Sequence, residues 1–296
     1  MEVNNLTTQL SVLTLNVGLA HHHSDWNWKN VRSPFARLYY VTEGEAQVEL
    51  PSGIFTLTPG HLYLIPPFTT HSNICTGTFT HYYIHIYEAD EKSSLFDTWD
   101  FPVEVNSENV DSQLMQRLCD INPFLKLPQS NPDVYDNHQM LMNNLRLNQN
   151  RPYSDKVESR GILFVLLSRF LAKATPKAEV SDSRIQKTIR HIRNHISEPL
   201  SLDKLSSMAC MSKDHYIRMF KQATGQTPVH YIVARRMEKA ELLLVTTTMP
   251  VKQLAREVGY EDTSYFNRLF RMHIGLSPQT YRQGSGLSIL SNQKTI

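Results

Sequence analysis

The stretch Arg218-Met-Phe-Lys-Gln-Ala-Thr-Gly225-Gln-Thr-Pro228-Val-His-Tyr231 is answered fifty residues later by Arg268-Leu-Phe-Arg-Met-His-Ile-Gly275-Leu-Ser-Pro278-Gln-Thr-Tyr281. Arg, Phe, Gly, Pro and Tyr coincide at one shift, five matches in 14 positions. Upstream, Leu205 answers Leu254 at a shift of 49, so one residue was added inside the unit. Two copies are too few for a stacked array. They predict one small helical unit used twice.

Each copy reads as two short helices around a tight turn, a helix-turn-helix. In the first, Ser201 and Ser212 suit helix N-termini, because a side-chain oxygen takes up N–H groups that the first turn leaves free. Gly225 suits a left-handed stop. In the second, Asp262 is the cap and Gly259 supplies the turn. Helical spacing puts Tyr216, Met219, Phe220 and Ala223 on the inner stripe of one second helix, and Phe266, Leu269 and Phe270 on that of the other. The remaining positions offer Ser212, Lys213, Asp214, His215, Ile217, Arg218 and Lys221 in copy one. Copy two offers Asp262, Thr263, Ser264, Asn267, Arg268 and Arg271. Arg pairs bidentately with guanine, Asn with adenine, and an apolar group touches the thymine methyl, the role expected of Ile217. One such face alone could be merely solvated. Two, at matched positions of a repeat, point to DNA. Pro228 to Val245 joins the copies without an internal Gly or Pro, and a helix of about 17 residues there would span roughly 25 Å.

Charge divides the chain the same way. Residues 1–183 carry 13 basic and 20 acidic side chains, whereas 184–282 carry 16 and 8, within a net charge of +2. A basic segment beside an acidic one suggests a polyanion-binding module attached to something else. No apolar run approaches the roughly 20 residues that span a bilayer, and Met1 to Leu10 lacks a secretory pattern. Cys75, Cys119 and Cys210 are scattered and odd in number, which favours the reducing cytoplasm.

The first third reads as strands from about Ser33 to Tyr87. Leu38–Val41, Ala46–Leu50, Ile54–Leu57, Leu62–Ile65 and Thr80–Tyr87 are separated by turn signals such as Glu43-Gly44, Pro51-Ser52-Gly53 and Thr58-Pro59-Gly60. Short strands at close spacing predict an antiparallel barrel or double-sheet jelly roll. From about Ser107 to Lys173 the period becomes helical, with Val157, Ile162, Val165, Leu166 and Phe170 on an apolar stripe. Arg37, Tyr39, His81, Tyr83 and His85 alternate along their strands, so one face could line a small-ligand pocket. No His-x-His pair follows Gly44 and no acid accompanies His81 and His85, so no metal site or cofactor is expected. His21–His23 read as solvated or loop material. No phosphate loop, Ser-x-x-Lys or paired-carboxylate signature supports catalysis.

The C-terminal motifs closely resemble the signature of the AraC/XylS family of transcription regulators. They are Leu205-Ser-Ser-Met-Ala, Tyr216-Ile-Arg-Met-Phe-Lys, Gly225-Gln-Thr-Pro, Arg235-Arg236-Met, Val251 to Tyr260, Tyr265-Phe-Asn-Arg-Leu-Phe-Arg and Gly275-Leu-Ser-Pro-Gln-Thr-Tyr-Arg282. Asp214 and Ile217 depart from the larger polar or aromatic residues common in that family. Phe35 to Glu45, Leu57 to Pro67 and His71 resemble, more weakly, its cupin-like sensor domain. The resemblance implies an α+β chain that is not an enzyme. It implies a cupin-like β domain with a small-molecule effector site, helices that form a homodimer, and two helix-turn-helix units on double-stranded promoter DNA. RNA polymerase as a partner is likewise implied, usually for activation, with no membrane involved. The expected order is a sensing domain at 1–106, a helical region at 107–174, a linker at 175–183, a DNA-binding domain at 184–283 and a tail at 284–296. Within the DNA-binding domain the helix-turn-helix units fall at about 202–223 and 251–273, with the joining helix at about 229–245. The rival readings are a cupin-type metalloenzyme fused to a DNA-binding module, and an alkyl-transfer repair protein. The scattered cysteines argue against the second.

Overall fold

A computed structural model describes residues 12–88, 95–177 and 182–283. They divide into two compact units after Thr175, and each is built around its own core. The tail expected at 284–296 lies outside the described residues.

The first unit begins with eight strands: β1 (Val12–His23), β2 (Trp28–Val31), β3 (Ala36–Gly44), β4 (Ala46–Leu50), β5 (Gly53–Leu57), β6 (His61–Ile65), β7 (His71–Ile74) and β8 (Thr78–Glu88). A short β9 (Glu104–Asn106) follows. They form two sheets, ordered β1-β8-β3-β6-β9 and β2-β7-β4-β5, with antiparallel neighbours. This is the double-sheet alternative of the expectation, not a closed barrel. The strand reading that began at Ser33 missed β1. From Val12 to Gly18 every residue but Leu13 is buried, so this half of the strand has no wet face to mark it by polar alternation.

The large sheet is covered on both sides. One side shares a core with the small sheet, built from Tyr39, Val41, Tyr63, Ile65, Phe79 and Tyr83 against Val48, Leu50, Leu57 and Cys75. The other side carries Val17, Leu38, Leu62, Leu64, Ile84 and Ile86, which pack against helices. Those helices are α1 (Asp111–Asp120), α2 (His138–Asn150) and α3 (Tyr153–Leu171). They contribute Met115, Leu118, Ile162, Leu163, Leu166, Leu167 and Phe170 to that core, each aliphatic side chain worth about 1.5–3 kcal/mol on full burial. Arg169 of α3 bonds the fully buried Asp111 of α1 at 3.1 Å, fixing one helix to the other. Val157 and Val165 depart from the expected stripe, being 54% and 39% exposed. Apolar residues run nearly around α3, so periodicity does not select its buried face.

The second unit is helical: α4 (Ser183–Asn194), α5 (Leu202–Met208), α6 (Lys213–Thr224), α7 (Pro228–Thr246), α8 (Val251–Glu257), α9 (Thr263–Ile274) and α10 (Pro278–Gln283). The first copy packs Leu205, Ala209, Tyr216 and Phe220 against Ile185 and Ile192 of α4 and Tyr231 of α7. Leu254, Phe266, Phe270 and Tyr281 are the buried counterparts in the second. Ser201 and Asp262 cap as expected, accepting from Lys204 N–H and from Ser264 and Tyr265 N–H. Ser212 occupies the N-cap position without a side-chain cap bond. Ala223, expected inside, is exposed, whereas Tyr216 and Phe220 are buried and Met219 packs half-buried against the same core. Among the described residues, no helix is long and apolar enough to cross a membrane.

The buried Arg236 of α7 joins the two copies. Its guanidinium donates to Ile196 O at 3.0 Å, Glu198 O at 2.7 Å and Gly259 O at 2.9 Å, and stacks on Tyr260. Gly259 has φ +86°, and a Cβ there would lie 2.5 Å from the Arg236 Nη2. The same turn in the first copy holds Cys210 at φ +54°, where an L side chain is strained. Cys210→Gly should therefore raise stability by about 0.5–1 kcal/mol, whereas Gly259→Ala should lower it by about 2 kcal/mol. Denaturant midpoints of the two variants check both signs.

Candidate functional site

Two sites stand out, a cavity in the first unit and an exposed face in the second. Pairing of β3 with β8 sets Arg37 opposite His85, Tyr39 opposite Tyr83 and Val41 opposite His81. Pairing of β1 with β8 sets Asn16, Gly18 and Ala20 beside His85, Tyr83 and His81. Alternation turns all of these inward. The Tyr83 ring crosses β1 so closely that a Cβ at Gly18 would meet its hydroxyl at 2.5 Å.

The result is a cavity of about 320 Å³. Tyr39, His81, Tyr83 and His85 line it, as the alternation predicts. Arg37 does not. Its guanidinium bonds Asp136 at 2.9 Å and Ser33 at 2.7 Å, over the Phe35 ring. Burial opposes its charge, but Tyr135 and Asp136 outweigh that and raise its pKa. Ser33 also bonds Asp136, completing a closed triad. Missing from the sequence reading were His22, Trp26 and Tyr135, with Lys126, Leu127 and Gln129. His22 is a buried strand residue stacked on Trp26 and His81, not loop material. The wall from Lys126 to Tyr135 carries no periodicity, so its role arises only when Leu127 N–H donates to the Tyr83 hydroxyl at 2.8 Å.

Burial drives the imidazole chemistry. His81 and His85 are held well below the usual histidine range, first by desolvation, then by neighbouring positive charge. His71, also first by burial and then by Arg37, drops to about 3. These rings are neutral at pH 7. Among the described residues, no group of three or more His, Cys, Asp or Glu is arranged to hold a metal ion.

In the second unit, Ser212, Lys213, Asp214, Arg218 and Lys221 are exposed, while His215 and Ile217 are half-buried. Asp262, Ser264, Asn267, Arg268 and Arg271 are exposed on the matching face, with Thr263 half-buried. Arg218 Nη2 lies 2.9 Å from His215 Nδ1, and Arg268 stacks over Tyr265 at 5.2 Å. Lys213 pairs with Asp203 at 2.6 Å, both exposed, a contact worth little in water.

Residues 16–118 match the family described as AraC-like ligand binding domain, and 205–284 match a helix-turn-helix domain. The MmsAB operon regulatory protein of Pseudomonas aeruginosa is 37% identical over 93 residues, 31% of this chain and 30% of that one. The HTH-type transcriptional activator RhaS of Escherichia fergusonii is 33% identical over 135 residues, 45% of this chain and 49% of that one. The chain thus spans less than half the length of these curated relatives. The solved C-terminal domain of AraT, a response regulator from Geobacillus stearothermophilus, is 33% identical with a TM-score of 0.32, covering 33% of this chain and 82% of that one.

The neutral imidazoles make stability depend on pH. Once unfolded, each ring binds a proton below about pH 6.5, whereas the folded rings resist protonation, His71 down to about 3. Stability is therefore full above pH 6.5 and falls as pH drops, by up to about 1.4 kcal/mol per pH unit for each ring. Trp26, Trp28 and Trp99, the only tryptophans, all lie before Thr175. Their fluorescence should report a urea midpoint that falls from pH 7 to pH 5, less steeply in His71→Asn.

Proposed function

We propose that the chain, whose residues 16–118 and 205–284 match an AraC-like ligand binding domain and a helix-turn-helix domain, is a ligand-responsive activator of the AraC/XylS family that reads promoter DNA with α6 and α9. The observation that carries this reading is the repeat itself. Two helices, each ended by a left-handed glycine, Gly225 and Gly275, present matched exposed residues from a basic unit, with Arg218 and Arg268 at the same place in each. Residues Lys213, Lys221 and Arg271 would meet phosphates, which give affinity and steep salt dependence. Arg218, Asn267 and Arg268 would meet base edges. At 19 residues, α7 is about 28 Å long, of the order of the 34 Å between successive major-groove turns.

The effector would occupy the cavity of the first unit and shift the population between two arrangements of the protein. RNA polymerase is the partner that activation requires, and the cytoplasm is where promoter and polymerase meet. No catalytic role is assigned to the imidazoles. For the homodimer, α3 offers a surface. Tyr153, Val157 and Val165, at 81%, 54% and 39% exposure, recur every four or eight residues, and the Cβ position of Gly161 between them is open. Such an apolar stripe is costly to leave in water.

Selection of binding fragments from sheared genomic DNA should yield a recurrent asymmetric site with two blocks one helical turn apart. No enrichment, with or without cell extract as an effector source, would sink the regulator reading. On that site Arg218→Ala and Arg268→Ala should each weaken binding by about 1–3 kcal/mol and relax preference at one block only. Lys221→Ala should weaken all sequences alike and lower the salt slope by about one. Sedimentation equilibrium should find a dimer that Val157→Asp converts to monomer; a wild-type monomer at micromolar concentration would remove the dimer from the proposal.

A further inference from the structure

The cavity presents two rings whose tautomers are set by the surrounding hydrogen bonds. Asn16 Nδ2 donates to Leu125 O at 3.3 Å, which directs its Oδ1 at His85 Nδ1, also 3.3 Å away. An amide oxygen only accepts, so the His85 proton sits on Nδ1. His22 Nδ1 lies 3.1 Å from an Asp25 carboxylate oxygen, and an ionised carboxylate again only accepts. Burial keeps both rings below the ordinary histidine range, despite the help Asp25 gives to a charged His22. Each ring therefore turns a bare Nε2 lone pair outward from its anchored side. Among the described residues neither Nε2 has a hydrogen-bond partner.

The rest of the lining agrees in sign. The Tyr83 oxygen already accepts from Leu127 N–H. Its own proton is free to donate. The formally charged lining side chains are Asp25 and Lys126, both exposed at the rim. The buried cation nearby, Arg37, is committed to Asp136 and Ser33. A carboxylate or phosphate entering here would set acceptor against acceptor and lose its hydration without a buried counter-charge. A hydroxyl meets the opposite conditions, since it donates to a bare imidazole nitrogen and accepts from a tyrosine. The flat faces of Trp26, Tyr39 and Tyr135 suit a ring, and 320 Å³ is at the small end of ligand pockets.

We propose that the cavity selects an uncharged, hydroxyl-bearing ligand of one ring, with His22 and His85 Nε2 as the acceptors that determine specificity and Asn16 as the positioning residue that sets the His85 tautomer. This rests on the reading of the cavity as the effector site. A sugar and a phenol share the required chemistry, and the test separates them.

Long-range proton–nitrogen NMR on the ¹⁵N-labelled full-length protein at pH 7 reads the tautomers directly, with signals assigned through His22→Gln and His85→Gln. Both rings should be neutral and protonated on Nδ1. Asn16→Asp, which keeps the acceptor, should retain the His85 tautomer, and Asn16→Leu should release it. An Nε2-protonated or doubly protonated His85 in the wild type overturns the proposal. Thermal midpoints are then compared for matched probes at millimolar concentration: methyl glucoside against glucuronate, and phenol against benzoate. A rise with one neutral probe and not with its acid is the expected result, and which pair responds names the source. A rise with an acid that His85→Gln abolishes overturns the ligand class while leaving the cavity an effector site. No shift from any of the four probes overturns both.

Discussion

Antiparallel pairing of β3 with β8 places nearly everything the first unit depends on. In that ladder Arg37 faces His85, Leu38 faces Ile84, Tyr39 faces Tyr83 and Tyr40 faces Tyr82. Odd-numbered residues of the two strands take the face that holds the cavity and the core shared with the small sheet, and even-numbered residues take the face covered by the helices, because successive side chains of a strand take opposite faces. A slip of one residue would bring Leu38 and Ile84 into the cavity and send Tyr39 and His85 against α3. The same backbone register thus holds an imidazole-rich pocket on one side and an aliphatic core on the other. Neither side is free to change without the other.

Buried polar groups are the cost of that arrangement, and the structure meets it in distinct ways. Arg37 is neutralised within a closed set of contacts to Asp136, Ser33 and the Phe35 ring. The histidines instead give up their charge, which desolvation makes the cheaper course for a group that titrates near neutrality. In the second unit the buried Arg236 guanidinium is satisfied by donating to three backbone carbonyls. Those carbonyls belong to the segment after α4 and to the turn before α9, so one side chain of α7 fixes the framework on which the second recognition helix stands. A lysine could not make three such bonds in a planar fork.

The paired repeat was legible because it combines three signals of short range: cap residues, glycine stops and an apolar stripe of period 3.6. Each depends on neighbours within one or two turns, so no knowledge of distant contacts is needed. Ala223 and Ser212 mark the limit, since helical spacing assigns a face but not the depth to which the neighbouring helix covers it. Along β3 and β8 alternation likewise identified Tyr39, His81, Tyr83 and His85 as one face, yet gave Arg37 the same standing as the rest.

Sequence alone, then, determined the two-part organisation, the duplicated helix-turn-helix and the inward face of the central strands, because all of these follow from local periodicity and from backbone conformations that particular residues favour. Tertiary structure alone decided that β1 exists with His22 buried in it, that Lys126 to Tyr135 closes the cavity, and that Arg37 belongs to Asp136. Each of these joins residues roughly 50 to 100 positions apart. Whether a side chain faces a cavity, a partner or a core is set by what arrives from elsewhere in the chain, and no local pattern encodes that arrival.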